Sequence, residues 1–408
     1  MVQFLYYSIL CILIVNFIFD RLLDYLNTTQ WSSDLPNELI GIYDLEKYKQ
    51  SIEYEKAKNR LALISDFLGF LSILSAFALG LFGWLDGIVR LWVSNPIHIS
   101  LIFFLILFLL SEVLTLPFKW VNTFRIESKF GFNKSTQRLF LLDQLKGFIV
   151  GILVGGCMLY SIIWIYLIAG NLFWILALTV IVVFSLFMLL FYSSLIVPLF
   201  NKQTPLPEGD LKTAITEFSQ KAGFLVDNIF VMDGSKRSTK ANAYFTGLGS
   251  KKRIVLFDTL ISDLTPQEII AVLAHEIGHY KKHHMYSSLA LSLISTALML
   301  YLFSIVNSNM LFAQVLGSNM PGFHLSLISF GILYIPLSIL TGVITNYKSR
   351  LNEYEADRYA KEVYSGELLS AALKKLSVNN LSNLTPHNSY VFFHYSHPTL
   401  LQRLHKIG

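Results

Sequence analysis

The chain has 408 residues, of which 54% are hydrophobic and 14% charged, with a net charge of +5 and two cysteines. So apolar a composition excludes an ordinary soluble enzyme and fits a polytopic membrane protein. Cys11 and Cys157 both fall in apolar runs, which excludes a disulfide framework and a cysteine zinc site, and no nucleic-acid partner is expected.

Runs long enough to cross a bilayer, about 17 to 25 residues each, are expected near 3–19, 62–84, 98–117, 147–169, 172–197, 286–306 and 325–345. The opening MVQFLYY has no basic n-region and no small-residue cleavage site follows, so no cleaved leader is expected. Segments 20–61, 118–146, 198–285 and the tail after 345 hold 31 of the 32 Lys and Arg residues. The positive-inside rule puts these segments in the cytoplasm and the N-terminus outside. Segment 20–61 mixes charged and apolar residues and reads as an extension of the first span, an interfacial helix, or both. Segment 118–146 carries the basic, aromatic stretch FRIESKFGFNKST and reads as a surface loop. Asp66 and Glu112 lie within spans, where charge is costly and faces protein or water. The sequence shows no partner for either.

Segment 198–285 is the water-exposed module. Residues 208–223 read as an amphipathic helix. Short strands are expected near 228–232, 242–246 and 253–257, with Gly-rich turns between them. A helix follows: Thr265 caps it, Pro266 suits its first position, and Glu268 completes a capping box. Inside it stands His275-Glu276-Ile277-Gly278-His279, an H-E-x-x-H. Positions i and i+4 share a helix face, so both imidazoles reach one Zn²⁺, with Glu276 beside it as general base.

A catalytic zinc has three protein ligands and one open position. Lys282 and Met285 stand where a metzincin carries Gly and His, so the third ligand comes from elsewhere. SRLNEYEADRYA (349–360) offers Glu353, Glu355 and Asp357. Glu353 and Asp357 share a face at i, i+4, whereas Glu355 points away. Glu353 is the expected ligand, and Asp357 the group that orients a ligand histidine. Asn242, Ala243, Tyr244 and Phe245 form the candidate edge strand, holding an extended peptide as an added strand or serving as an ordinary core hairpin. His397, before Pro398 and an amphipathic helix, is either structural or a donor to an oxyanion.

KANAYFTGLGSKKRIVLFDTL (240–260), AHEIGHY (274–280), SRLNEYEADRYA (349–360) and YSHPTLLQRL (395–404) resemble, in order, the four signature blocks of the CAAX prenyl protease 1 family. Its members are seven-span membrane zinc metallopeptidases. The resemblance implies helices that enclose a water-filled chamber, with one zinc per chain near the cytoplasmic side. It implies removal of the last three residues from a farnesylated or geranylgeranylated C-a-a-X terminus. By motif it makes His275, His279 and Glu353 the ligands and Glu276 the base. It sets Asn242 and His397 near the substrate and transition state, with Arg403 and Asp357 in support. The HKIG terminus lacks the lysine pattern of an endoplasmic reticulum retrieval tail, and the 408-residue length with compact loops looks more like a bacterial member, implying the bacterial inner membrane, or the endoplasmic reticulum membrane in a eukaryote.

The expected fold is mainly α, with seven transmembrane helices and a small cytoplasmic-side α+β zinc-metallopeptidase module. Residues 1–197 form a five-helix membrane region, 198–285 the module, 286–345 the last two spans, and 346–408 a region completing the site. The partners are membrane lipid and a peptide or prenylated protein C-terminus. One alternative is a membrane quality-control protease with no prenyl requirement. Another is a transporter or scaffold whose structural zinc is closed by His283, His284 or Glu355. A site-2-type protease needs L-D-G on a later span, and Leu85-Asp86-Gly87 precedes the zinc helix.

Overall fold

Each of the seven apolar runs lies on helix in the computed structural model, which describes residues 1–32, 34–224, 228–246, 253–306 and 309–408. The membrane region begins with α1 (Val2–Thr28), α2 (Leu45–Ala78), α3 (Leu81–Trp92), α4 (Pro96–Val121), α5 (Gln137–Ala169) and α6 (Phe173–Phe191). Of the two readings of segment 20–61, the extension of the first span is present, since α1 runs on to Thr28; the rest of the segment leads into α2, which starts at Leu45 behind an Asp44 cap and continues as the second span. The run expected over 62–84 is split. Gly80, at φ +65°, turns the chain between α2 and α3.

The module follows as β1 (Gln203–Pro205), α7 (Asp210–Lys221), β2 (Ile229–Met232), β3 (Ala243–Thr246) and β4 (Arg253–Phe257). Then come α8 (Asp258–Asp263), α9 (Pro266–Lys281), α10 (His284–Val306), α11 (Leu311–Gln314), α12 (Phe323–Val363), α13 (Gly366–Asn379), α14 (Asn388–His394) and α15 (Leu400–Ile407). Among the described residues, six helical runs are long and apolar enough to cross a membrane. One of them, Gln137–Leu199, contains α5 and α6, which turn at Gly170 and pack on each other, so the six runs carry seven crossings.

The charged residues inside the spans have partners that spacing did not reveal. Asp66 on α2 takes Arg21 of α1 at 2.8 Å, and Glu112 takes Lys119, seven residues on, at 2.8 Å. Asp86 of the L-D-G triplet bonds Arg90, Ser318 and His324, and lines no part of the cleft described below.

The sheet has the order β1-β2-β4-β3, with β2 and β4 parallel and the outer pairs antiparallel. β3 is therefore an edge. β1 was not foreseen, and the Gly-rich turn expected after β3 (247–252) lies outside the described residues. Ile229, Ile254 and Leu256 of the sheet pack with Ile215 and with Ile269, Leu273 and Ile277 of α9 in one buried core. That core packs α9 between the sheet and α12. α12 is 41 residues long, about 60 Å at 1.5 Å per residue. It carries the last span directly into the site, so the boundary expected at 345/346 falls inside one continuous helix.

Candidate metal centre

α9 starts where its capping signals put it. The Thr265 hydroxyl accepts from the Glu268 N–H, and the Glu268 carboxylate accepts from the Thr265 N–H. Burial pushes the Glu268 carboxyl up, but bonds from Lys375 and Thr265 outweigh it and hold the group below the usual carboxylate range. This clamp ties α9 to α13 at 2.7 Å through Lys375.

α9 and α12 cross at Gly278 and Ala356. A β-carbon on Gly278 would lie 3.1 Å from both the Cα and the carbonyl oxygen of Ala356, so the two backbones touch. This close approach brings the histidines of one helix to the carboxylate of the other. His275 Nε2 and His279 Nε2 are 3.1 Å apart, His275 Nε2 is 3.5 Å from Glu353, and His279 Nε2 is 3.3 Å from Glu353. Donors bonded at about 2.0–2.1 Å to a tetrahedral ion lie about 3.3 Å from each other. The three distances bracket that value, so the residues present fit a metal ion.

The outer hydrogen bonds aim both rings. His275 Nδ1 donates to Asp357 at 2.8 Å, and Asp357 is held in turn by Arg403 of α15, at 2.6 Å to one oxygen and 2.9 Å to the other. His284 Nε2 donates to Glu355 at 2.9 Å, which leaves its Nδ1 to accept from His279 Nδ1 at 3.0 Å. The network thus assigns tautomers in which both Nε2 lone pairs point to one spot. Burial pushes the His275 imidazole down, but its bonds to Asp357 and Glu353 raise it to about 9. A metal arriving there displaces a proton, so its binding weakens as pH falls.

The sequence-predicted site residues come together. Asn242, Ala243, Glu276, His397 and Arg403 line one cleft of about 360 Å³ with His275, His279 and Glu353. His397 is largely exposed, its Nε2 3.4 Å from Glu353. The edge strand divides in two. Asn242 and Ala243 face this cleft, whereas the Tyr244 hydroxyl turns to Ser193 and Gln203, and Phe245 packs on Phe224 and Tyr280. Glu355 does point away from the cluster, as expected, yet it acts on it through His284.

Sequence reasoning gave His284 only as a possible ligand closing a structural zinc. The structure instead makes it the support of His279. The signal lies in the backbone: His283 sits at φ +57° in the turn between α9 and α10, and His284, the first residue of α10, reaches His279 from there. Asp357→Asn keeps the shape but removes the charge that holds His275. It is expected to weaken metal affinity about tenfold to a hundredfold, read by chelator competition on the purified protein.

Comparison with known proteins gives the family. Residues 24–202 match the model for the CAAX prenyl protease N-terminal region with five membrane helices, and residues 205–408 match peptidase family M48. The chain belongs to the CAAX prenyl protease 1 family. It is a membrane M48 metallopeptidase. CAAX prenyl protease 1 of Saccharomyces cerevisiae is 35% identical over 96% of this chain and 92% of its own length. A CAAX prenyl protease 1 homolog of Arabidopsis thaliana is 35% identical over 97% of this chain and 95% of its own length. The crystal structure of S. mikatae Ste24p superposes with a TM-score of 0.93 at 33% identity, covering 99% of each chain.

Proposed function

We propose that this protein is a zinc endopeptidase that removes the C-terminal tripeptide from prenylated C-a-a-X proteins or peptides. The observation that carries this reading is the His275–His279–Glu353 cluster facing one cleft with the free edge β3. Two imidazoles and a carboxylate form the donor set of a zinc peptidase with one position left for substrate. Zinc held there supplies Lewis acidity for water and for the scissile carbonyl.

The chain's own residues do the rest. A peptide adds to β3 in extended form, with Asn242 beside the scissile bond. The Asn242 side-chain oxygen accepts from the Ala243 N–H at 2.8 Å, which leaves its NH₂ to donate to substrate. Glu276, half-buried in the cleft wall, accepts a proton from the attacking water and passes it to the leaving amine. His397, its Nδ1 held 3.0 Å from the Ser396 hydroxyl, donates through Nε2 to the oxygen that becomes negative. His397→Ala is expected to lower kcat about a hundredfold with metal content unchanged, as measured by turnover and metal analysis together.

The reading puts this end of the molecule in the cytoplasm and the N-terminus outside, on the charge asymmetry of the loops. A bacterial inner membrane gains no support from length, since the chain covers more than nine-tenths of both the yeast and the plant relative. The test is cleavage of two matched peptides by the purified protein, one with a farnesylated cysteine and one without, each with and without a zinc chelator. Chelator-sensitive loss of three residues from the prenylated peptide alone supports the proposal. Equal cutting of both moves the role to general membrane-protein proteolysis. Cutting of neither, with metal bound, returns the structural-zinc alternative.

A further inference from the structure

The cleft that holds the metal cluster continues past His397. Leu373, Asn380, His397 and Arg403 also wall a second, polar cavity of about 560 Å³. α2 lines it with Tyr54, Glu55 and Lys58, and Lys240 lies on it two residues before Asn242. A peptide paired along β3 and running past Ala243 and Asn242 next meets Ala241 and Lys240. In antiparallel pairing with β3, the substrate's C-terminal side runs toward Lys240, so that side of the scissile bond enters this cavity. Three extended residues reach about 10 Å, so a released tripeptide ends within the cavity rather than beyond it.

The charges on its wall are unequally committed. Arg403 is paired with Asp357 at 2.6 Å. Lys240 is paired with Glu127 at 3.1 Å and donates to the Tyr54 hydroxyl at 2.7 Å. Lys58 is exposed, stands 5.2 Å from the centre of the Tyr54 ring, and makes no ion pair among the described residues. Two buried polar atoms of lining residues, Asn380 Oδ1 and Asn383 Nδ2, have no hydrogen-bond partner among the described residues. Buried polar atoms left unmatched in a folded protein are satisfied by water or by a ligand. An unpaired cation, a free N–H donor and a free acceptor suit the end of a peptide chain: a carboxylate with the amide preceding it.

Resting on the C-terminal cleavage proposed above, we infer that this cavity receives the substrate's free C-terminal carboxylate, with Lys58 as its counter-charge and Asn383 as a donor. The backbone of an internal peptide segment carries no charge at that point. The cavity thus selects chain ends, independently of the prenyl group. Glu55 is the carboxylate on the same wall and opposes the anion.

The test uses the full chain in proteoliposomes and one farnesylated peptide in two forms, ending in a free acid or in an amide. The wild type is expected to prefer the acid about tenfold in kcat/KM. Lys58→Met raises KM for the acid about tenfold, leaves its kcat and both constants for the amide unchanged, and so abolishes the preference. Lys58→Arg retains the preference, and Glu55→Gln enlarges it; these two variants carry the test if Lys58→Met does not fold. Equal use of acid and amide by the wild type, with chelator-sensitive cleavage intact, overturns this inference and leaves the peptidase reading standing. An acid preference that survives Lys58→Met removes Lys58 from the role. Failure of the wild type to cut either form overturns the peptidase reading and this inference with it.

Discussion

Glu276→Gln is expected to lower kcat about a thousandfold while the protein still folds and still binds its metal as tightly as the parent. The glutamine has the shape of glutamate but cannot take up a proton at neutral pH. General-base removal costs about a hundredfold to ten-thousandfold, and the middle of that range suits a group with no second carboxylate in reach. Glu276 and Glu353 are the two carboxylates lining the cleft, and Glu353 is already engaged by His275, His279 and Arg403. Among the described residues, no other carboxylate on the wall is therefore free to act as base. Glu276 makes no part of the hydrogen-bonded frame that aims the histidines, so the variant separates proton transfer from metal binding. The measurement is single-turnover cleavage of the farnesylated peptide beside a chelator titration. Retained turnover removes Glu276 as the base, whereas lost metal makes it a structural residue.

Much of this site was legible because its chemistry is encoded at short range. An H-E-x-x-H on a capped helix, and Glu353 with Asp357 four residues apart, fix the contents of two helix faces before any packing is known. Arg403 was legible only through resemblance, and His397 only as one of two open readings, since no periodicity says that α15 returns to α9. The support of His279 was missed for a different reason. It depends on a positive φ at His283 and on a turn between two helices, which leave no spacing signal. The same holds for β1, a three-residue strand Gln203–Pro205 whose pairing is set by β2 rather than by its own pattern. In the membrane region, apolar runs located every span. The split at Gly80, by contrast, belongs to one glycine's conformation inside a run that stays apolar on both sides.

Gly278→Val is expected to weaken metal binding more than a hundredfold, by a route unlike that of Glu276→Gln. Position 278 lies inside the motif but holds no donor; its part is to let two helices touch. A β-carbon there meets Ala356 Cα and its carbonyl oxygen at 3.1 Å and the Tyr359 β-carbon at 3.2 Å. Two of these are backbone atoms of a continuous 41-residue helix and cannot swing aside. Valine adds two further methyl groups at the same point, and overpacking of this kind costs about 1–3 kcal/mol before the site is considered. The structure relieves it by moving α9 away from α12, which separates His275 and His279 from Glu353. Donors that now lie 3.1–3.5 Å from one another tolerate little of that motion, because the ion must stay near 2.0–2.1 Å from each of them. Gly278→Ala brings the same first contact without the extra methyls and is expected to fall between parent and valine. The check is chelator competition together with the Tm of the detergent-solubilised protein across the series. Metal affinity that falls in step with side-chain size makes the helix crossing the determinant of the site. Parent-like affinity in Gly278→Val would show instead that the cluster is assembled by the outer pairs, Asp357 with Arg403 and His284 with Glu355.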